Sequence, residues 1–138
     1  MGLSALLFIG ACTTVNVNRI DAQAHPLNFL CIEENPEVLV SDFLSVLERN
    51  IQKHGIKTLV YKGQPPERCE YTVAYTASRG WDLAPFMNHA EIRLRRSGET
   101  ISLATYKHAG GFALNKWAGT DSKLTPVLDE LFANFQKN

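Results

Sequence analysis

The chain has little that marks a specialised class of protein. Its 138 residues carry no net charge, because 14 basic residues balance 14 acidic ones. Proteins that wrap nucleic acid normally have a basic surplus, so we expect no nucleic-acid partner. No apolar run reaches the roughly 17–25 residues that a transmembrane helix needs. With 45% hydrophobic and 20% charged residues, the composition and length predict one globular domain.

The first eleven residues are apolar or small and include no Lys or Arg. They match the apolar core of a secretory signal peptide, and we predict a signal peptide over residues 1–11. Residues Ile9–Cys12 read aliphatic, small, small, cysteine, which resembles a lipobox, the cleavage signal of bacterial lipoproteins. This resemblance implies cleavage before Cys12 and lipidation of that cysteine. The usual positively charged n-region is missing, and we interpret this as a start codon placed too late.

Residues 12–26 follow with a polar, mixed composition and no sustained amphipathic period. This pattern predicts an acylated cysteine and a flexible tether that precede a single domain over residues 27–138. Because Thr13 rather than Asp follows Cys12, the expected location is the outer membrane of a Gram-negative envelope, facing the periplasm. In the alternative interpretation, residues 3–12 form a buried element of a cytosolic domain and Cys12 is an ordinary core thiol.

A lipidated Cys12 leaves one pair among the three cysteines. In an oxidising periplasm, the pair Cys31 and Cys69 predicts a disulfide. The alternative is two separate buried thiols, which a cytosolic location would favour. Their spacing fits no zinc-binding pattern.

Hydrophobic periodicity after residue 26 predicts the order β-α-β-β-β-β-α. Asn35 and Gly55 are the predicted caps of the first helix, and Ser97-Gly98 is a predicted hairpin turn. The second helix is predicted to begin within residues 120–123. Alternating strands and one-sided helices together predict an α+β two-layer sandwich, with a mostly antiparallel sheet and both helices on one face.

Several segments resemble a family of small, uncharacterised proteobacterial lipoproteins. The resemblance covers roughly residues 27–137 and is carried by residues 30–38, 69–75, Trp81-Asp82 and 116–120 with the closing helix. It implies a lipid-anchored periplasmic α+β domain that keeps the cysteine pair. It brings no known activity, so it implies no catalytic residue.

No pattern for catalysis or metal binding is present in the sequence. The four histidines are scattered and form no metal-binding motif: His25, His54, His89 and His108. No nucleophile elbow or phosphate-binding glycine pattern occurs either. We therefore expect no catalytic residue, no metal and no cofactor.

Two surface features remain as weak candidates for binding an envelope protein or an anionic glycan. One is a basic face and the other a group of loop aromatics; the candidate residues are Arg79, Trp81, Arg93, Arg95, Tyr106 and Trp117. The alternative for the arginines is a solvated face that Glu91 and Glu99 neutralise. The alternative for the aromatics is that they close the open end of a small core.

Three functions follow from these observations. The first is a lipid-anchored, non-enzymatic interaction or accessory module of the envelope, whose membrane contact is the acyl anchor. The second is a protein that binds or processes cell-wall polysaccharide, with Asp82 and Glu91 as a carboxylate pair. The third is the cytosolic domain with a buried N-terminus.

Overall fold

The computed structural model describes residues 13–108 and 118–135, which form one six-stranded mixed sheet and two helices. The strands are β1 (Thr13–Val17), β2 (Phe29–Glu33), β3 (Lys57–Tyr61), β4 (Tyr71–Trp81), β5 (Pro85–Arg96) and β6 (Glu99–His108), and the helices are α1 (Phe43–Lys53) and α2 (Thr120–Leu131). This architecture confirms the predicted α+β class. The signal segment 1–11, Cys12 and Trp117 lie outside the described residues.

The sheet has the strand order β1-β6-β5-β4-β2-β3. Strands β4, β5 and β6 form an antiparallel meander, and β1 adds to β6 in antiparallel orientation. Strand β2 runs parallel to both β3 and β4. The mostly antiparallel sheet is therefore confirmed. Its parallel part arises because α1 connects β2 to β3 as a crossover, which parallel neighbours require.

The core lies between one face of the sheet and the two helices. Along β4, Tyr71, Val73 and Tyr75 are buried while the residues between them are more exposed, as strand alternation requires. Helix α2 contributes an apolar stripe to the same core: Leu124, Val127, Leu128 and Leu131. None of the helices in the described part of the chain is long and apolar enough to cross a membrane.

The start of the first helix differs from the prediction. Asn35 does not cap a helix. Its side-chain Nδ2 donates a hydrogen bond to the backbone carbonyl oxygen of Tyr75 at 2.9 Å, and its side-chain Oδ1 accepts one from the Glu37 N–H. These bonds hold the segment against β4, and α1 begins only at Phe43. The predicted end is confirmed, since Gly55 adopts a left-handed φ of 79° just after α1.

The expected flexible tether is wrong for most of its length. Residues Thr13–Val17 form the edge strand β1, paired in register with β6 from Thr13 opposite His108 to Val17 opposite Ala104. Ile20 is fully buried in the core, and its N–H donates to the carbonyl oxygen of Leu131. The pairing is long-range, so the polar local sequence gave no sign of it. The folded domain therefore includes Thr13.

Candidate functional site

The cysteine pair is joined. Cys31, fully buried on β2, forms a disulfide with Cys69, which lies just before β4, and their Cα atoms are 5.8 Å apart. Leu30 and Ile32 face the helices, so Cys31 points to the opposite, open face of the sheet. The disulfide predicted from the cysteine count is thus confirmed. The bond links the loop before β4 to the middle of β2.

The most exposed apolar residues lie where β4 turns into β5. We call residues Trp81–Pro85 the hairpin tip; Trp81 is 75% exposed and Leu83 is 87% exposed. The turn is closed by the Asp82 N–H, which donates to the carbonyl oxygen of Ala84 at 3.0 Å. Leu83 has a φ of 65° in the left-handed region, where a non-glycine residue is strained. The fold therefore presents a large apolar side chain at a conformation that favours glycine or asparagine.

An open cleft of about 460 Å³ lies beside the hairpin tip. Its walls are the end of β4 and the loop before α1, and Leu39 from that loop is 64% exposed. Glu37 and Arg79 supply one charge of each sign to the lining. Arg79 and Trp81, two of the predicted surface residues, are therefore brought together here.

The predicted basic face is largely neutralised. Arg93 forms a 2.5 Å ion pair with Glu91 on the same strand, and Arg96 forms a 2.8 Å ion pair with Glu70. Within the described residues, Arg95 and Arg79 form no ion pair with a carboxylate. Arg79 on β4 lies opposite Met87 on β5. Arg93 is six residues beyond Met87 on the same strand, a distance of about 20 Å. The arginines on β5 and Arg79 thus do not form one patch.

Tyr106 does not belong to any surface. It is buried on the helix-facing side of β6, and burial raises the pKa of its hydroxyl while a hydrogen bond with Thr13 partly opposes that rise. Burial likewise raises the pKa of Tyr75, whose hydroxyl accepts a hydrogen bond from the Asn35 N–H. Including Tyr106 among candidate surface aromatics was therefore wrong, because it fills the core under β1.

The histidines occupy separate structural positions. His54 caps the end of α1, and its Nε2 lies 3.1 Å from a carboxylate oxygen of Asp129 on α2. His89 pairs with Lys107, and His108 packs edge-on against the ring of Phe86. Across residues 13–108 and 118–135, no group of three His, Cys, Asp or Glu side chains is placed to hold a metal ion.

The carboxylates of the enzyme interpretation are far apart. Asp82 lies in the turn beyond Pro85, whereas Glu91 lies six residues further along β5. At about 3.3 Å per strand residue, this separates them by roughly 20 Å. Paired glycosidase carboxylates lie about 5–10 Å apart, so these two residues do not form such a pair.

A buried lysine supports the base of the hairpin. Lys123 on α2 donates a hydrogen bond from Nζ to the carbonyl oxygen of Met87 at 3.1 Å, and its Nζ lies 5.5 Å from the ring centre of Phe86. Desolvation by burial lowers the pKa of this lysine. The helix layer is thereby connected to the strand that carries the tip.

Sequence reasoning missed Leu39 and Leu83 as exposed residues and Lys123 as a buried one. The periodic spacing of Leu39 from Phe43 placed it on the helix stripe, although α1 begins later. The signal for Leu83 was present, because an apolar residue between Asp82 and Pro85 in a short turn has no core to enter. The pairing of Lys123 with a strand carbonyl is a long-range contact that no local pattern indicates.

Comparison with known proteins identifies a fold and no family. No protein-family model and no curated protein matches the chain. Among solved structures, it is similar to PelC dodecamers from Paraburkholderia phytofirmans in two crystal forms. One, a single-substitution variant, has a TM-score of 0.55 and 13% identity, covering 84% of this chain and 97% of PelC. The other has a TM-score of 0.53 and 12% identity, covering 90% of this chain and 98% of PelC.

At this level of identity the likeness shows a shared fold and nothing finer. The match extends over nearly the whole of each PelC chain and most of this one, so the likeness concerns the fold as a whole rather than one shared motif.

Proposed function

We propose that the chain is a lipid-anchored protein of the Gram-negative envelope that acts as a non-enzymatic interaction or accessory module. The anchor in this proposal is Cys12, and the domain faces the periplasm at the outer membrane. The disulfide between Cys31 and Cys69 is the observation that carries the proposal. Structural disulfides persist in oxidising compartments, and this one accounts for every cysteine except Cys12.

The lipobox-like residues Ile9–Cys12 supply the second line of support. The two observations are independent, since one is a peptidase signal and the other a bond within the fold. A cytosolic domain would explain neither the signal nor the oxidised pair. The proposal explains both through one location.

The fold likeness suggests a form for this module. PelC is a dodecamer in the two similar structures. Both edge strands of the present sheet, β1 and β3, carry backbone groups that no described strand pairs with. Self-association is therefore part of the proposal, and native mass spectrometry of the detergent-extracted protein tests it; a monomer at all concentrations would remove this part alone.

Metabolic labelling with radioactive palmitate in a Gram-negative host tests the anchor. We expect label in the wild type, loss of label in Cys12→Ser, and accumulation of the unprocessed precursor when globomycin is added. Cys31→Ser is the matched control, because it removes a cysteine without touching the signal, and any protein that accumulates should remain labelled. An unlabelled wild-type protein in the soluble cytoplasmic fraction would overturn the proposal.

A further inference from the structure

The hairpin tip carries two exposed apolar residues on either side of the charged Asp82, and its backbone is strained at one place. Trp81 and Leu83 are each at least three quarters exposed, and Leu83 holds a left-handed backbone conformation. Strain of this kind destabilises the fold and concentrates at sites of function. An asparagine at position 83 would relieve the strain and would expose no large apolar side chain, so the leucine itself calls for an explanation.

The sheet register relates the tip to the start of the chain. Thr14, Lys107, His89 and Ser78 lie side by side across β1, β6, β5 and β4. Thr13 is one residue beyond this line, whereas Pro85 is four residues beyond it in the same direction. At about 3.3 Å per residue, the tip therefore extends roughly 10 Å further along the strands than Thr13 does.

Thr13, the first residue of β1, is the point where the proposed anchor joins the sheet. Consecutive Cα atoms are about 3.8 Å apart, so a lipid on the preceding residue would be attached one peptide unit from the strand. Because β1 belongs to the sheet, only this single step separates a lipidated Cys12 from the folded domain. Acyl chains on Cys12 would hold the end of the sheet that contains Thr13 against the bilayer. The hairpin tip extends beyond Thr13 at this same end.

We propose that the hairpin tip inserts Trp81 and Leu83 into the lipid interface to which Cys12 is anchored. This inference rests on the proposed function, because it requires the acyl anchor. Tryptophan is favoured at membrane interfaces, where its ring is apolar and its N–H reaches the headgroups, and leucine adds apolar contact below it. The acyl chains supply the membrane affinity, and the tip sets the orientation.

The proposed orientation stands the sheet upright on the membrane. The Ser97-Gly98 turn is then the point furthest from the lipid, since the eleven steps of β5 from Pro85 to Arg96 span about 36 Å. The open face with Arg95 would stand roughly perpendicular to the membrane and remain accessible from the periplasm.

Depth-dependent fluorescence quenching tests the insertion. The lipidated full-length protein carrying Trp117→Phe, with Trp81 as its sole tryptophan, is reconstituted into vesicles of phosphatidylethanolamine and phosphatidylglycerol. A fraction of the lipids bears a nitroxide near the glycerol. The matched control is Trp81→Phe with Trp117→Phe and Glu99→Trp, which moves the sole tryptophan to the opposite end of the sheet.

We expect the nitroxide lipids to quench Trp81 by about twofold or more and to leave the tryptophan at position 99 unaffected, because the interface attracts the tip alone. Acrylamide should quench Trp81 less in vesicles than in the chain that starts at Thr13, studied without lipid or detergent.

Four results would overturn the inference. If Cys12 is acylated but Trp81 is quenched no more than the control, the tip does not enter the lipid. If Trp81 is shielded from acrylamide equally in vesicles and in the lipid-free chain that starts at Thr13, a second copy covers it; if shielding appears only when an anionic glycan is added, the tip binds sugar. An unacylated Cys12 would overturn the proposed function and this inference together, and palmitate labelling separates that failure from the others.

Discussion

The hydroxyl oxygen of Thr13 lies 3.5 Å from Nδ1 of His108, where the first strand enters the sheet. On β6, Tyr106 is buried under the same strand, and its hydroxyl also bonds with Thr13. The start of the described chain is therefore integrated into the fold. Lipid attached at Cys12 would restrain the orientation of the whole sheet, since no residue separates Cys12 from the first strand residue, Thr13.

Removing the disulfide should destabilise the domain substantially. The double variant Cys31→Ala with Cys69→Ala releases a loop of sequence separation 38, and we expect a loss of about 4 kcal/mol in the free energy of unfolding. Urea unfolding followed by circular dichroism measures it. Wild-type protein unfolded in the presence of a reductant should show a similar loss, and an unchanged urea midpoint in both samples would contradict the structural role of the bond.

Replacing the strained leucine should stabilise the isolated domain. Position 83 has a φ of 65°, and asparagine tolerates this left-handed region better than leucine does. We therefore expect Leu83→Asn to raise the free energy of unfolding by up to about 1 kcal/mol. Thermal unfolding in detergent, away from lipid, measures it. A clear decrease in the melting temperature would show that Leu83 makes contacts that outweigh the strain.

Gly80 should not tolerate a side chain. A Cβ atom there would lie 2.8 Å from Cζ of Phe86, and the crowding should cost about 1–3 kcal/mol in Gly80→Ala. The Phe86→Leu background shortens the opposing side chain, so the same alanine should cost less there. Urea unfolding of the four proteins completes the cycle, and an equal cost in both backgrounds would assign the effect to the backbone instead.

Lys123 should make stability rise with pH below its ordinary pKa of 10.5. Desolvation lowers its pKa in the folded state, so between the folded and unfolded values the unfolded chain binds more protons and each rise in pH favours folding. We expect the wild type to gain free energy of unfolding relative to Lys123→Met as the pH is raised from about 7 to 9.5. The exposed Lys57→Met is the control and should show no such shift; a constant difference for Lys123→Met would contradict the assignment.

The sequence predicted the elements whose signal is local. Alternation along β4 and β5 and the apolar stripe of α2 each repeat within one segment, and the structure confirms them. The Ser97-Gly98 turn is also local, and both residues adopt the positive φ that such a hairpin requires.

The errors concern residues whose position depends on distant partners. Strand β1 is polar on most positions and gains its structure from hydrogen bonds to β6, about ninety residues later in the chain. Asn35 has the composition of a helix cap but is held by Tyr75 across the loop. Tyr106 was expected near a surface, yet β1 and α2 cover it. In each case the competing partner lies outside any local window.

The candidate site was only partly predictable for the same reason. Arg79 and Trp81 are close in sequence and remain together in the cleft, whereas Arg93 and Arg95 lie elsewhere on the open face. The position of Thr13 relative to the tip follows from the register of four strands. No single-strand pattern contains that information.

Mass spectrometry of the protein purified from the envelope tests the central claim most directly. Peptides from non-reduced protein should show a chain that begins at Cys12 with acyl groups on that residue, together with Cys31 linked to Cys69. A chain that retains residues 1–11 with an unmodified Cys12, or that carries Cys31 and Cys69 as thiols, would contradict the account.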